Sequence, residues 1–192
     1  MKKILLILSL FICLSCCKND PVDKWHTARI DKLYRIVQPA GIMYPFPAYV
    51  LRMSDGNDVY LIRQRYNQDL YEGDEIRYQL SSYCRSEISA INGVSLGEGG
   101  DYGDDGYAEI PPGGLIASDP IEDVAADIFY LEAIYSVPFL PIKTTCIEVA
   151  SDGKLLLVKN AKLNVDLAIG DRFVYNVYTL FPNDVLAIKK LR

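Results

Sequence analysis

With 192 residues, half of them hydrophobic, the chain is long enough for one large domain or two small ones. Its formal net charge of −5, from 20 Lys and Arg against 25 Asp and Glu, lacks the basic footprint of a phosphate-backbone binder, so no nucleic-acid partner is expected. Fourteen tyrosines, many beside Val, Ile and Leu, favour strands over helices, and an all-β protein is expected.

The chain begins Met1-Lys2-Lys3 and continues into the apolar run from Ile4 to Ile12. That is the charged start and hydrophobic centre of a secretory signal, too short to span a bilayer stably. Removal of this segment takes Lys2 and Lys3 with it, lowering the basic count from 20 to 18 against 25 acids and the net charge to −7. Next comes Leu14-Ser15-Cys16-Cys17, which resembles a bacterial lipobox, where a cysteine is lipidated and becomes the mature N-terminus. The resemblance implies lipidation of Cys17, with Leu14 in the aliphatic place, or of Cys16, with Ser15 in the small place. Lys18-Asn19-Asp20 is similar to the lysine-plus-acidic export signal of Bacteroidetes-type lipoproteins, which implies a lipid-anchored protein of the outer membrane, displayed at the cell surface. Residues 1–16 are therefore expected to be a signal peptide and residues 17–25 a tether.

One stretch organises the rest of the chain, because it occurs twice. At an offset of 97, Ser54, Asp55 and Gly56 fall on Ser151, Asp152 and Gly153, and Gly73, Asp74 and Tyr78 fall on Gly170, Asp171 and Tyr175. Turn residues held in register over such a length indicate two copies of one small domain. A domain of roughly 75 to 90 residues buries only about 60% of its unfolded surface and is marginal alone, so the copies are expected to pack together.

In the first copy, residues 26–96, strands are expected at Thr27 to Val37, Ala48 to Met53, Val59 to Tyr66, Gly73 onward and Glu87 to about Val94. Tyr44-Pro45-Phe46-Pro47 is read as a lead-in to the second strand. Ser54-Asp55-Gly56-Asn57 forms a hairpin turn, with Gly56 supplying a positive φ. Three strands, a connection and a two-stranded hairpin is the order of an OB-fold, so the fold class is two tandem OB-like five-stranded β-barrels related by an internal repeat. In the second copy, residues 120–192, the first strand is expected at Ala126 to Val137, with Ile121 to Ala125 showing helical propensity. Strands at Thr144 to Ala150, Leu155 to Lys162, Arg172 to Thr179 and Asp184 to Leu191 come after it, the last two joined by a turn at Phe181-Pro182-Asn183-Asp184. Between the copies, residues 97–119 are Gly-rich and acidic, a linker by composition.

The residues with chemistry to offer are few. Arg52, Arg63, Arg65 and Arg77, with Arg85, fall on or near the strands whose face binds oligosaccharides or oligonucleotides in OB-folds, and Tyr44, Tyr60 and Tyr66 add stacking surfaces. These seven, Arg85 aside, form the expected ligand-binding set. The competing reading pairs the arginines with Asp55, Asp58, Glu72 and Glu75 on a solvated surface. Asp101, Asp104 and Asp105 in the linker are oxygen ligands of the type calcium takes, but their spacing does not fit its twelve-residue loop, so no metal is expected. His26 is a lone histidine with no orienting partner evident in the sequence. Cys146 reads as a small buried hydrophobe, and a bridge from it to Cys84 is left open. No catalytic constellation is present, and neither enzyme activity nor a cofactor is expected.

Ser54-Asp55-Gly56 together with Leu70-x-x-Gly73-Asp74 resembles the OB-type N-terminal domain of the NigD-like lipoproteins, although that family continues into a β-sandwich where this chain repeats itself. Together with the anchor, the resemblance implies a surface-displayed binding or accessory module for a glycan or an envelope protein. The alternative is a structural lipoprotein that stabilises an outer-membrane assembly.

Overall fold

The computed structural model describes residues 24–40, 44–62, 66–82, 85–96, 116–132, 143–159 and 166–192, with the backbone alone for 38–40 and 44–46. The lipidation motif at Cys16 and Cys17, the linker residues Asp101, Asp104 and Asp105, and Arg63, Arg65 and Cys84 lie outside the described residues. Every regular element described is a strand: β1 (His26–Ala40), β2 (Tyr44–Met53), β3 (Asp58–Ile62), β4 (Glu75–Leu80), β5 (Ile88–Ile91), β6 (Val94–Ser95), β7 (Ile121–Glu132), β8 (Lys143–Val149), β9 (Leu155–Val158), β10 (Arg172–Val177) and β11 (Val185–Lys190). Among these residues no helix is long and apolar enough to cross a membrane.

The strands form two antiparallel sheets, ordered β3-β2-β1-β4-β5-β6 and β11-β10-β7-β8-β9. Each is built around its first strand, which serves two neighbours in succession. Residues 26–29 of β1 pair with β4, and from Ile30 onward the strand pairs with β2. In the same way, residues 121–124 of β7 pair with β10 and the rest with β8. The change of partner falls at a bulge in both copies, between Ile30 and Lys32 and between Ala125 and Asp127.

A single extra residue in a strand exchanges its two faces. Before the bulge, Ala28 and Ile30 point into the core of the first sheet; beyond it Leu33 takes over that duty, and Tyr34 and Ile36 turn outward. In β7 the same switch puts Ala125 and then Ile128 in the core of the second sheet, with Phe129 and Leu131 turned outward. A glycine holds each bulge: the Gly73 amide donates to the Ile30 carbonyl and the Gly170 amide to the Ala125 carbonyl, both at 2.8 Å. Both glycines have left-handed backbones, φ 93° and 90°.

The outward faces of β1–β3 and β7–β9 lie against each other. Tyr34, Ile36, Ala48, Val50, Tyr60 and Ile62 share one buried cluster with Phe129, Leu131, Cys146, Leu155 and Leu157. The two sheets therefore have three cores between them: one inside each sheet and one shared. Among the described residues β3 meets the residue just ahead of β5, and β9 the residue just ahead of β11, at one parallel bridge each, Tyr60 with Glu87 and Leu157 with Asp184. Each bridge rests on a 2.7 Å bond, from the Tyr60 amide to the Ser86 carbonyl and from the Leu157 amide to the Asn183 carbonyl. One bridge is not a paired ladder, and the sheets are not closed into barrels.

Several boundaries differ from those expected. Strand β7 begins at Ile121, not Ala126, so the segment with helical propensity is strand, because pairing with β10 and burial of Asp123 and Ala125 outweigh a weak local preference. The aromatic-proline segment is the first part of β2, paired from Tyr44 opposite Ala40 to Pro47 opposite Val37. The expected fifth strand of the first copy is a hairpin of β5 and β6, turned by Asn92 and Gly93 at φ 50° and 82°, the Asn-Gly signature of a tight turn. Residues 116–119, expected as linker, are tied to the second sheet through the Ala117–Tyr178 bridge and bonds from Ser118 and Thr179.

Replacement of Gly73 by Ala is expected to cost about 1–2 kcal/mol, because the left-handed backbone penalises a Cβ although nothing lies within 4 Å of it. Urea unfolding should show a lower midpoint with an unchanged slope.

Candidate functional site

The expected ligand-binding set does not converge on one surface. Tyr60 is buried in the shared core, and Tyr66 lies in the first sheet's core, its hydroxyl donating to Gln68 at 2.9 Å and accepting from the Asn92 amide at 3.2 Å. Tyr44 contributes backbone to β2. Arg52, on the outward face of β2, is held from both copies: its Nε donates to Asp58 of its own copy at 3.0 Å, its Nη1 to Asp127 of the other, and its guanidinium lies 4.7 Å over the Phe129 ring. Arg77 is different. It is exposed on β4, with its guanidinium 4.5 Å over the ring of the half-buried Trp25. Arg85 is also exposed.

The polar centre that the structure assembles is the ring of charge around the shared core. Lys32 and Arg52 are direct cross-strand neighbours on β1 and β2, and Asp127 and Glu148 are direct neighbours on β7 and β8. Lys32 donates to both Glu148 carboxylate oxygens at 2.5 and 2.6 Å, the Tyr34 hydroxyl donates to the same carboxylate at 2.7 Å, and Arg52 pairs with Asp127. Burial and the Glu148 carboxylate push the Tyr34 hydroxyl well above the usual phenol range, so it stays protonated and keeps donating. Burial works against the charge on Arg52, but Asp58 and Asp127 outweigh it and raise its pKa. Burial also raises Asp58, against the pull of Arg52. Of these residues, Arg52 was among the candidates from sequence, and Asp58 among the acids that the competing reading paired with the arginines, as it is here. Lys32, Asp127, Glu148 and Tyr34 were missed, although like charges placed directly across a strand pair are a signal that something opposite must cover them.

Two smaller clusters lie apart from that ring. At the β2–β3 turn, His26 stacks on Tyr78, with centroids 5.0 Å apart, and its Nδ1 is 3.5 Å from Asp55. The Tyr78 hydroxyl donates to Asp55 at 2.9 Å and accepts from the Asn57 amide at 2.9 Å. The histidine therefore has the orienting partners that its sequence context did not reveal. The second copy has Ile121 in its place, opposite Tyr175, so this cluster is not part of the repeat.

The other cluster is Lys159 and Asp184, a half-hidden ion pair at 2.8 Å beside the second sheet's parallel bridge. Burial lowers the lysine and raises the carboxyl, each against the attraction of the other. The second carboxylate oxygen, Asp184 Oδ1, is buried and has no hydrogen-bond partner among the described residues. Cys146 is a free thiol buried in the shared core, as expected from its apolar setting, and burial pushes its pKa far up, which makes it a poor nucleophile. Among the described residues, no three of His, Cys, Asp and Glu are grouped to hold a metal ion.

No known family model matches the chain, and no curated protein is significantly similar to it.

A carboxyl whose pKa is raised by folding contributes stability below its unfolded value that is lost as pH rises through the folded one. The native chain is expected to lose stability relative to Asp184→Asn as pH climbs from about 4 towards neutrality. Paired urea titrations at each pH measure that difference; a difference that stays flat or runs the other way contradicts the raised carboxyl.

Proposed function

We propose that the protein is a non-enzymatic binding or accessory module, carried at the outer membrane by a lipid on Cys17 or Cys16 and displayed at the cell surface. Its two halves are OB-like sheets left open, and the first contacts a glycan or an envelope protein. The OB-like reading is supported by the sheet order β3-β2-β1-β4-β5, a first strand shared between two neighbours, and the parallel approach of β3 to β5.

The observation that carries the binding site is the fate of the two candidate arginines described. In OB-folds the face of the second and third strands takes the ligand, but here that face in each copy is covered by the other copy. Arg52 is spent there. What stays accessible in the first copy is the outward side of β1 and β4, where Arg77 lies directly across from Thr27 with its guanidinium over Trp25, and Arg29 lies directly across from Glu75. A half-buried indole beside a guanidinium offers both a stacking surface and directed donors, the pairing that sugars and acidic or aromatic protein segments use. The proposed contact has therefore moved from the β2–β3 face to the β1–β4 face.

A structural role in an envelope assembly is the second reading. It draws on the large exposed hydrophobics Tyr71, Tyr130, Ile116 and Ile169, and on the short exposed edge strand β6.

A glycan array followed by calorimetry on Trp25→Ala and Arg77→Ala tests the first reading, with saturable binding in the native chain and an expected loss of about tenfold or more in either variant. Absence of any glycan or soluble-protein binding, together with a membrane protein that co-purifies stably with both variants, supports the structural role instead. Mass analysis of the mature protein, against Cys17→Ala and Cys16→Ala, decides the anchor.

A further inference from the structure

The contacts between the copies come in pairs related by a two-fold rotation. Lys32 and Asp127 each stand just past the bulge of the first strand of their copy, and Arg52 and Glu148 are their respective cross-strand neighbours. A rotation that exchanges the copies therefore puts Lys32 on Asp127 and Arg52 on Glu148. The two ion pairs, Lys32 with Glu148 and Arg52 with Asp127, are images of each other under it.

The same rotation relates two further bonds. The Val37 amide donates to Asn183 Oδ1 at 3.0 Å, and the Glu132 amide donates to Ser86 Oγ at 2.9 Å. Ser86 and Asn183 are equivalent, because their carbonyls accept the matching bridge bonds from Tyr60 and Leu157. On the axis side of the interface Tyr34 stacks on its own counterpart Phe129, centroids 6.0 Å apart. This is the geometry of an isologous dimer interface, in which residue i meets j and j meets i, built inside one chain.

The shape is symmetric, and the charge is not. Of the charges that pair across the interface, both on the first face are cations and both on the second are anions; the first face also carries Asp58, directly across from Arg52 on β3, which accepts from its Nε at 3.0 Å. Tyr34 and Phe129, Ile36 and Leu131, and Tyr60 and Leu157 are large and apolar on both faces and do not tell them apart, whereas Asp58 stands where the second face has Leu155 and Ile62 where it has Lys159. We infer that Lys32, Arg52, Asp127 and Glu148 are specificity-determining residues that sort the two faces, so that a first face accepts only a second face and two chains do not join through like faces. A first face laid on the first face of another chain sets Lys32 against Arg52 twice, four cations whose only counter-charges are the two Asp58 carboxylates that Arg52 already holds. Two second faces set Asp127 against Glu148 twice. Only the unlike pairing satisfies all four groups, and like-charge juxtaposition is what separates right from wrong partners whose shapes are equivalent. Between unlike faces, the covalent connection favours the partner in the same chain by effective concentration.

The decisive variant is Arg52→Glu with Asp127→Arg. It keeps both ion pairs within the chain, one with its polarity reversed, but gives each face one cation and one anion, so that each face also becomes complementary to itself. The control reverses all four charges, Lys32→Glu, Arg52→Glu, Asp127→Lys and Glu148→Lys, which keeps the sorting intact. Each, like the otherwise unaltered chain compared with them, is made as residues 18–192, so that neither candidate lipid cysteine is present, and with Asp58→Asn, so that no carboxylate of the first face stands beside position 52, and is refolded from urea at about 0.1 mM, below the roughly millimolar effective concentration of a tethered partner.

Light scattering on the refolded proteins should find the unaltered and four-fold reversed chains monomeric and the two-fold exchanged chain with at least several times their dimer content. A two-fold exchanged chain as monomeric as the other two overturns the inference, as does a four-fold reversed chain that dimerises equally. If the exchanged chain does not fold, the unaltered chain refolded at low salt and in 1 M salt decides the matter. Screening of these partly exposed charges should raise its dimer yield, and an unchanged yield overturns the inference.

Discussion

Strands β3 and β9 are buried on both faces, one side supplying residues to their own sheet's core and the other to the core shared between the copies. Everything else in the protein depends on that shared core. Without it, Tyr34, Ile36, Val50 and Tyr60 on one side and Phe129, Leu131, Leu155 and Leu157 on the other would face water, and each copy would carry two like charges side by side, with only Asp58 beside Arg52 to offset them. Small sheets of this size bury too little surface to be secure alone. The chain solves this by using one half as the missing layer of the other.

The bulge in the first strand makes that solution possible. A strand with unbroken alternation presents one face to the core along its whole length, and β1 and β7 do not. One additional residue after Ile30 or Ala125 lets the early part of the strand serve the sheet's own core and the later part serve the partner. The glycines at 73 and 170 stabilise the bend from the neighbouring turn, their amides capping the carbonyls at which the pairing shifts. The repeated Gly-Asp motif thus secures the geometry by which the two copies meet.

Because the scaffold is duplicated, the differences between its copies stand out. The charges of the shared interface, the His26–Tyr78 stack and the Lys159–Asp184 pair each exist in one copy only or in opposite sign. The Lys159–Asp184 pair occurs where the first copy has Ile62 and Glu87 at matching positions around its bridge. Burial acts against both of its charges, so it is held in place by the fold and contributes little to holding the fold together.

The all-β class, the duplication, the glycine-dependent turns and the burial of Cys146 are legible from residue order alone. These are local matters: a positive φ selects glycine wherever the chain runs, and alternation of apolar residues marks a strand without reference to its partner. Residue order did not locate the start of β7, where pairing with β10 overrides the helical propensity of Ile121 to Ala125, nor the strand character of the Tyr44 to Pro47 segment. The charged ring was out of reach for a different reason. Lys32 and Glu148, or Arg52 and Asp127, are separated by 116 and 75 positions, and no spacing rule joins residues so far apart. Tyr60 and Arg52 read as ligand groups because they lie on strands that carry ligands in OB-folds, and only the packing of one copy on the other decided that this face is covered. The duplicated halves could be seen in one dimension, but which face of each meets the other depends on a bulge and a rotation that exist only in three.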